Sequence, residues 1–394
     1  MNVTRAIGAN ARVEGFCDPA FQPVLDAFLN NFEVHGEVGA SVCIHVGDRI
    51  AVDLWGGHCD RDRQKPWDRD TVSVVFSCTK AATALCAQLL VDRGALDLDA
   101  KVSRYWPEFA QAGKEDATVL MMLNHSAGVP ALREPLKQGA FYDWDYMTGR
   151  LAEEEPFWRP GTKSGYHMTS FGWTVGELVR RVSGKSLGAF FRDEFAVPLG
   201  LDFQIGLPAT TTKQIAPIIL YKPGPDTQLT EFIMALVGAP TSISHLSYMN
   251  NGGHDPNSGL AHAAEIGGAG GIANARALAD MYRPLAGSGS VLSQERIDDM
   301  SRVSTETDRD ETLLIPTRFG QGFMLSMDNS SLPPGSSVII GRHAFGHVGM
   351  GGSIGFADRD RGLAFGYTMN KLGGGILLNE RGQALVDAAY GCMG

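Results

Sequence analysis

Apolar and polar positions along the chain change period several times, and the changes place its elements. From Pro19 to about Phe32 apolar residues recur at helical spacing, which predicts an amphipathic helix. Two short apolar runs follow, Ala40–Val46 and Arg49–Leu54, parted by Gly47-Asp48, and they predict a pair of strands joined by a tight turn. The middle third reads as helices and loops, with helices expected over Lys80–Arg93, Thr118–Asn124, Phe171–Val182 and Leu187–Phe195. In the third of these, Phe171, Val175, Leu178 and Val182 form the apolar stripe. From Phe319 onward strands dominate. Ile354–Ala357 and Leu363–Met369 flank a turn at Asp358–Gly362, and a helix follows from about Asn379 to Ala389. Strands toward both ends with helices between predict an α/β (α+β) fold: one antiparallel sheet, flanked by terminal helices, with a mainly helical insertion. The expected division is 1–75 with 265–394 for the sheet domain and 76–264 for the helical one. A cleft is expected at their junction.

Three segments carry candidate chemistry. In Val72–Leu85 an apolar strand end runs into a helix with Ser77 at its first turn, and Lys80 lies three residues on, where a helix puts it on the same face. Burial among Val74, Val75, Phe76, Ala81 and Ala82 would lower the lysine pKa and let it take the serine proton. In Pro160–Val179 a Pro-Gly turn delivers Tyr166 just before a periodic helix, a suitable place for a phenol that relays a proton. In Gly341–Asp358 a glycine-rich strand, expected at a sheet edge, admits a substrate against the backbone and can aim an N–H at a developing oxyanion.

In this order, Ser-x-x-Lys, then Tyr166, then His347-Val348-Gly349, the chain resembles the serine β-lactamase and penicillin-binding-protein superfamily, with its β-lactamase/DD-peptidase-like fold. It is most similar to the class C-like family VIII carboxylesterases, and the resemblance runs from Gly36–Ile50 to Leu363–Asn370. Leu90–Asp99, Met122–Pro130 and Gly270–Ala279 also resemble recurring family segments. The resemblance implies a serine hydrolase with Ser77, Lys80 and Tyr166 catalytic, the backbone N–H groups of Ser77 and Met350 as oxyanion hole, and Met168, His347, Val348 and Gly349 against the substrate. Which of Lys80 and Tyr166 is the operative base in each step stays open, because coupled groups share the proton.

Two positions depart from the β-lactamase pattern. Tyr166-His167-Met168 stands where class C enzymes have Tyr-x-Asn, and His347 stands where Lys-Thr-Gly has its lysine. Without that fixed cation a substrate carboxylate loses its partner, so the expected substrate is a small-molecule ester with a short acyl chain. Arg342 is close enough in sequence to leave open whether it replaces that cation. The alternatives are a β-lactamase or D-alanyl amidase using the same residues, an acyltransferase to a small alcohol, or a non-catalytic ligand-binding member of the fold.

Other residues compete for attention. Cys78 adjoins Ser77 but has no histidine arrangement to activate it, and reads as packing. Gly351-Gly-Ser353-Ile-Gly355 matches Gly-x-Ser-x-Gly, yet a hairpin follows instead of a helix and no histidine occurs after His347, so Ser353 is not taken as nucleophile. His125 and His167 read as structural hydrogen-bonding residues. The histidines show no metal-ligand spacing, and no cofactor or metal is expected. The stretch from about Thr210 to His262 can be read as a pocket wall or lid, or as ordinary core and connection.

Composition narrows the class further. A chain of 394 residues with 44% apolar content can bury a large core, and a net charge of −10 argues against nucleic acid or an anionic membrane as partner. The six cysteines lack a Cys-x-x-Cys pair and are expected reduced and mostly buried. The first residues carry no apolar signal core, so the expected location is cytoplasmic. Oligomeric state is not legible.

Overall fold

Strand-forming sequence from the two halves of the chain meets in one sheet. A computed structural model describes residues 1–8, 10–208, 210–224, 228–287 and 291–394. The strands are β1 (Asn2–Ile7), β2 (Ala11–Cys17), β3 (Gly39–Val46), β4 (Arg49–Gly57), β5 (Ser73–Val74), β6 (Phe203–Gln204), β7 (Ile272–Ala273), β8 (Thr305–Thr307), β9 (Thr317–Phe319), β10 (Met324–Leu325), β11 (Phe345–Val348), β12 (Ile354–Asp358) and β13 (Leu363–Met369). Ten of them form an antiparallel sheet in the order β1-β2-β4-β3-β13-β12-β11-β10-β9-β8, and β5-β7-β6 form a small second sheet. The seam between the halves is the β3–β13 ladder, which runs from Ala40 opposite Met369 to Val46 opposite Leu363.

Both faces of this sheet are covered. Helices Gln22–Glu33 and Glu380–Gly391 pack together over one face, burying Val24, Leu25, Phe28, Leu385 and Val386 against Val42, Phe356 and Phe365. Helix Ala275–Ala286 covers the other, with Leu278 and Tyr282 against Ala357 and Ala364. The same core continues into helices Thr79–Asp92 and Phe171–Ser183. Two-sided burial explains why β13 is buried at every position and reads as an apolar run with no alternation. Each core draws residues from 76–264 as well as from the flanking segments.

The sequence-predicted elements fall close to the observed ones, with informative differences. The expected helix Leu187–Phe195 is an α-helix only to Phe191. A wide π turn follows over Arg192–Ala196, before Pro198, whose ring cannot fit against the carbonyl of residue 194 in a regular helix. Strands β1 and β2 were not expected from the pattern; β1 buries only Val3 and Ile7 and so shows little alternation. Among the described residues no helix is long and apolar enough to cross a membrane. Cys17, Cys43, Cys59, Cys78 and Cys86 are buried and unpaired, and Cys392 is half-buried and unpaired.

Close approach of helix Ala275–Ala286 depends on two glycines paired across β12 and β13, Gly355 and Gly366. A β-carbon on Gly366 would sit 2.2 Å from the Ala275 carbonyl oxygen, and one on Gly355 would sit 2.7 Å from the Tyr282 ring. Gly366→Val should therefore lift the helix and lower stability by about 1–3 kcal/mol or more. Urea denaturation measures this, and an unchanged midpoint would contradict the packing.

Candidate active site

Strand β5 feeds directly into the turn that carries Ser77. The Val75 N–H donates to the Gly271 carbonyl at 2.9 Å, Phe76 bridges to Gly270, and helix Thr79–Asp92 begins after Cys78. Phe76 has φ 44°, a left-handed conformation that costs a bulky residue energy and throws the next side chain out of the regular path. Ser77 is thus half-buried at a cavity wall while its neighbours on both sides are buried. The Thr79 hydroxyl closes the turn on the Phe76 carbonyl at 2.5 Å and accepts the Gly271 N–H at 2.8 Å.

Lys80 is fully buried. Its Nζ lies 3.0 Å from Ser77 Oγ, 2.6 Å from the Met168 carbonyl and 2.8 Å from the Gly268 carbonyl. Burial lowers its pKa well below the ordinary lysine value, and among the described residues no carboxylate pairs with it to offset that. In the neutral amine, two N–H groups serve the two carbonyls and the lone pair is left for the serine hydroxyl proton. Met168 therefore meets the lysine through its main chain, where the family pattern has an asparagine side chain.

Tyr166 sits on the same group. Lys80 Nζ is 4.7 Å from its ring centroid, and the phenol oxygen is buried without a hydrogen bond of good geometry. Burial raises its pKa; the Ser77 hydroxyl partly offsets the rise and the Asp310 carboxylate adds to it. Asp310, which sequence reasoning did not single out, anchors the Tyr166 backbone. Its buried carboxylate accepts the N–H groups of Tyr166 (2.9 Å), Thr312 and Leu313 (2.8 Å each) and the Thr317 hydroxyl (3.2 Å). Burial pushes Asp310 up to about 6 despite those donors. Its only sequence signal is Asp310-Glu-Thr-Leu313 at the end of a polar run, which is easily mistaken for a surface turn.

His125 and His167 have the hydrogen-bonding roles expected of them. His125 Nδ1 accepts the His167 N–H at 3.2 Å, and His167 bridges the Gly165 carbonyl (2.7 Å) and the Val129 N–H (3.1 Å). Desolvation holds both below the usual histidine range, His167 at about 4.

Strand β11 delivers the third segment. It is not the sheet edge that the sequence suggested, but β10 pairs only with Phe345 and Gly346, so the chain beyond them is open on that side. Val348, Gly349 and Met350 line the cavity with Ser77, Tyr166 and Met168. Neither the Ser77 N–H nor the Met350 N–H donates to any protein acceptor among the described residues. Two unpaired N–H groups at one cavity wall are what an oxyanion hole requires.

His347 is placed differently from the expectation. It is buried and absent from the cavity lining; its Nδ1 bonds the Val348 carbonyl at 2.8 Å, and desolvation with nearby Lys80 holds it down at about 3. Arg342 does not substitute for the missing lysine, because it lies in a separate surface cleft with Arg302, Arg318 and Arg359. The cations that line the cavity are Lys371, whose Nζ donates to the Gly36 carbonyl at 2.7 Å, and Arg381, which is paired with buried Glu37 at 2.6 Å. Neither was anticipated, since both come from segments that read as ordinary strand end and helix.

The cavity is about 660 Å³. Its apolar wall comes from the stretch that the sequence left ambiguous: Phe232, Ile233 and Leu236 on helix Glu231–Gly238, with Leu220, Leu229 and Tyr248. Residues 225–227 of that stretch lie outside the described residues. The polar loop of the same stretch, residues 250–257, is a connection, with Asn250 bonded to the Leu132 and Glu134 carbonyls and the Leu136 N–H. The rival nucleophiles are sequestered. Cys78 is buried, donates to the His347 carbonyl at 3.3 Å and is pushed up to about 12 by desolvation. Ser353 is buried and donates to the Val75 carbonyl at 3.2 Å. Among the described residues no cluster of His, Cys, Asp or Glu is placed to hold a metal ion.

The family described as Beta-lactamase matches residues 25–389. The protein named Esterase/beta-lactamase LipL, from Mycobacterium tuberculosis, is 35% identical over 373 residues, covering 92% of this chain and 84% of that one. A family VIII carboxylesterase crystal structure is similar at TM-score 0.85 and 36% identity, over 96% of this chain and 99% of that one. A penicillin-binding-protein homolog from Caulobacter crescentus is similar at TM-score 0.86 and 34% identity, over the same shares.

His167, held at about 4, and His347, held at about 3, are neutral near pH 7, and Asp310, at about 6, bonds the Tyr166 backbone and not Ser77, so the group expected to titrate the serine's reactivity is Lys80. Labelling of Ser77 by a fluorophosphonate should slow as pH falls through the lowered lysine pKa, where the lone pair takes up a proton. His347→Asn should leave the midpoint in place. A midpoint that moves with the histidine would contradict the assignment.

Proposed function

Since the chain belongs to the beta-lactamase family, we propose that it is a serine hydrolase that cleaves short-chain carboxylic esters through an acyl-enzyme on Ser77. The observation that carries this reading is the Lys80 amine, buried with no carboxylate partner among the described residues and 3.0 Å from Ser77 Oγ. Ser77 Oγ attacks the ester carbonyl carbon as its proton passes to the Lys80 lone pair. The carbonyl oxygen becomes an oxyanion held by the Ser77 and Met350 N–H groups, each such donor being worth roughly 3 kcal/mol in the barrier. Collapse expels the alkoxide, which takes a proton from Tyr166, and Lys80 restores the phenol proton. Water then attacks the acyl-enzyme by the reverse relay. Burial favours both the neutral amine and the neutral phenol at rest, which supports Lys80 as first acceptor and Tyr166 as donor to the leaving group.

The ester preference rests on the cavity wall. Phe232, Ile233, Leu236, Leu313 and Met324 offer an acyl group an apolar surface, and the neutral, buried His347 supplies no fixed charge. The same reading places the site between a sheet domain, 1–75 with 265–394, and a helical domain, 76–264. One observation favours the second reading, hydrolysis of a β-lactam or D-alanyl amide by the same residues. Lys371 is a half-buried cation in the cavity wall whose Nζ donates to the Gly36 carbonyl, and it can meet a substrate carboxylate.

A panel of nitrophenyl esters, nitrocefin and a D-alanyl-D-alanine peptide tests both. The expected result is a kcat/KM for short acyl esters at least about a hundredfold above that for either carboxylate-bearing substrate, lost by orders of magnitude in Ser77→Ala and largely kept in Ser353→Ala. Comparable efficiency on nitrocefin or the peptide would overturn the ester preference, and activity surviving in Ser77→Ala would overturn the nucleophile.

A further inference from the structure

The N–H of Met350 belongs to the peptide group whose carbonyl is that of Gly349. That oxygen accepts the Gly352 N–H at 3.1 Å. The Gly352 N–H in turn belongs to the peptide group whose carbonyl is that of Gly351. Three donors converge on the Gly351 oxygen: Asn379 Nδ2 at 2.7 Å, the Gly373 N–H at 3.0 Å and Arg381 Nη2 at 3.4 Å. A carbonyl oxygen has two lone pairs, so three donors exceed what satisfying it requires.

The donors are themselves fixed. Asn379 and Arg381 are almost fully buried. Arg381 is held by Glu37 at 2.6 Å and by the Lys371 carbonyl at 2.8 Å, and Glu37 in turn accepts the Tyr367 hydroxyl. The backbone is shaped to receive them: a β-carbon on Gly352 would lie 2.4 Å from Asn379 Nδ2, and one on Gly373 would lie 2.1 Å from it. Gly351 and Gly352 have φ 86° and 113°, conformations that a side chain would strain.

We propose that Asn379 and Arg381 are positioning residues of the oxyanion hole, acting on the Met350 N–H through the two intervening peptide groups. The inference rests on the reading that this N–H receives the oxyanion. Each peptide in the relay accepts at its carbonyl and donates at its N–H, and hydrogen bonds in such a chain polarise one another. A donor set with a guanidinium at its head thus makes the Met350 N–H a stronger donor and holds it in place before charge develops. Buried charge is costly to retain for stability alone, and the Glu37–Arg381 pair under this turn gains a reason in the relay.

Asn379 also caps helix Glu380–Gly391 through Oδ1, which accepts the Gly382 N–H at 3.3 Å. Asp and Ser cap helices equally well but lack the amide donor. Asn379→Asp and Asn379→Ser therefore remove the relay's strongest donor while keeping the cap, and Ser does so without adding charge. The probe is phenylboronic acid. Ser77 Oγ forms a bond to boron, its proton passes to Lys80, and the tetrahedral boronate places one hydroxyl where the oxyanion sits. Affinity is read as protection of Ser77 from fluorophosphonate labelling, so the relay can be tested even if esters prove not to be the substrate.

Both variants should bind phenylboronic acid about tenfold more weakly and lose about tenfold in kcat on a nitrophenyl ester, a fraction of the 10²–10³ that deleting a direct donor costs. KM and the thermal midpoint should stay near the parent values. Unchanged boronate affinity in a folded variant would overturn the proposal. So would losses in kcat, KM and thermal midpoint that move together, the pattern of a merely structural residue.

Discussion

Everything at this site depends on one unbalanced charge. A lysine enclosed by protein with no carboxylate beside it cannot keep its proton cheaply, and among the described residues Lys80 has none. Its hydrogen-bond partners among the described residues are oxygens of Ser77, Met168 and Gly268, which hold an amine in place without stabilising an ammonium as a carboxylate would. Desolvation also sets the surrounding groups. Tyr166 keeps its phenol proton, and His125, His167 and His347 stay neutral because burial opposes their charging. The site is a low-dielectric enclosure that favours the neutral form of each of these groups.

The backbone prepares the electrophilic side of the same chemistry. The left-handed Phe76 turns Ser77 into the cavity, and the glycines after Val348 let the Met350 N–H face it unpaired. Ser353 links the two parts: its hydroxyl holds the Val75 carbonyl and its own carbonyl accepts the Gly349 N–H at 2.7 Å. The serine of the Gly-x-Ser-x-Gly match is therefore a packing residue, its hydroxyl bonded to the main chain.

Much of this was legible in the sequence because it is local. Ser77 and Lys80 are one helical turn apart, Tyr166 is announced by Pro160-Gly161, and the β3–β4 and β12–β13 hairpins carry their turn residues between apolar runs. What was not legible depends on distant partners. Asp310 finds Tyr166 across a separation of 144 residues, and Glu37 finds Arg381 across 344. Nothing in the spacing of such residues distinguishes a buried anchor from a surface charge. His347 shows a related limit: alignment with the family motif places the residue, but packing decides whether its ring faces the cavity. Strands β1 and β2 escaped notice because a mostly exposed edge hairpin has little hydrophobic period to read.

The central claim is that Lys80 is a neutral amine at working pH, and it is open to direct titration. In protein carrying 13C-labelled lysine, the Nζ-adjacent carbon of Lys80, assigned by its absence in Lys80→Arg, reports protonation through its chemical shift. The account predicts a midpoint well below that of the surface lysines, which titrate near about 10.4. A Lys80 signal that titrates with the surface lysines would contradict it.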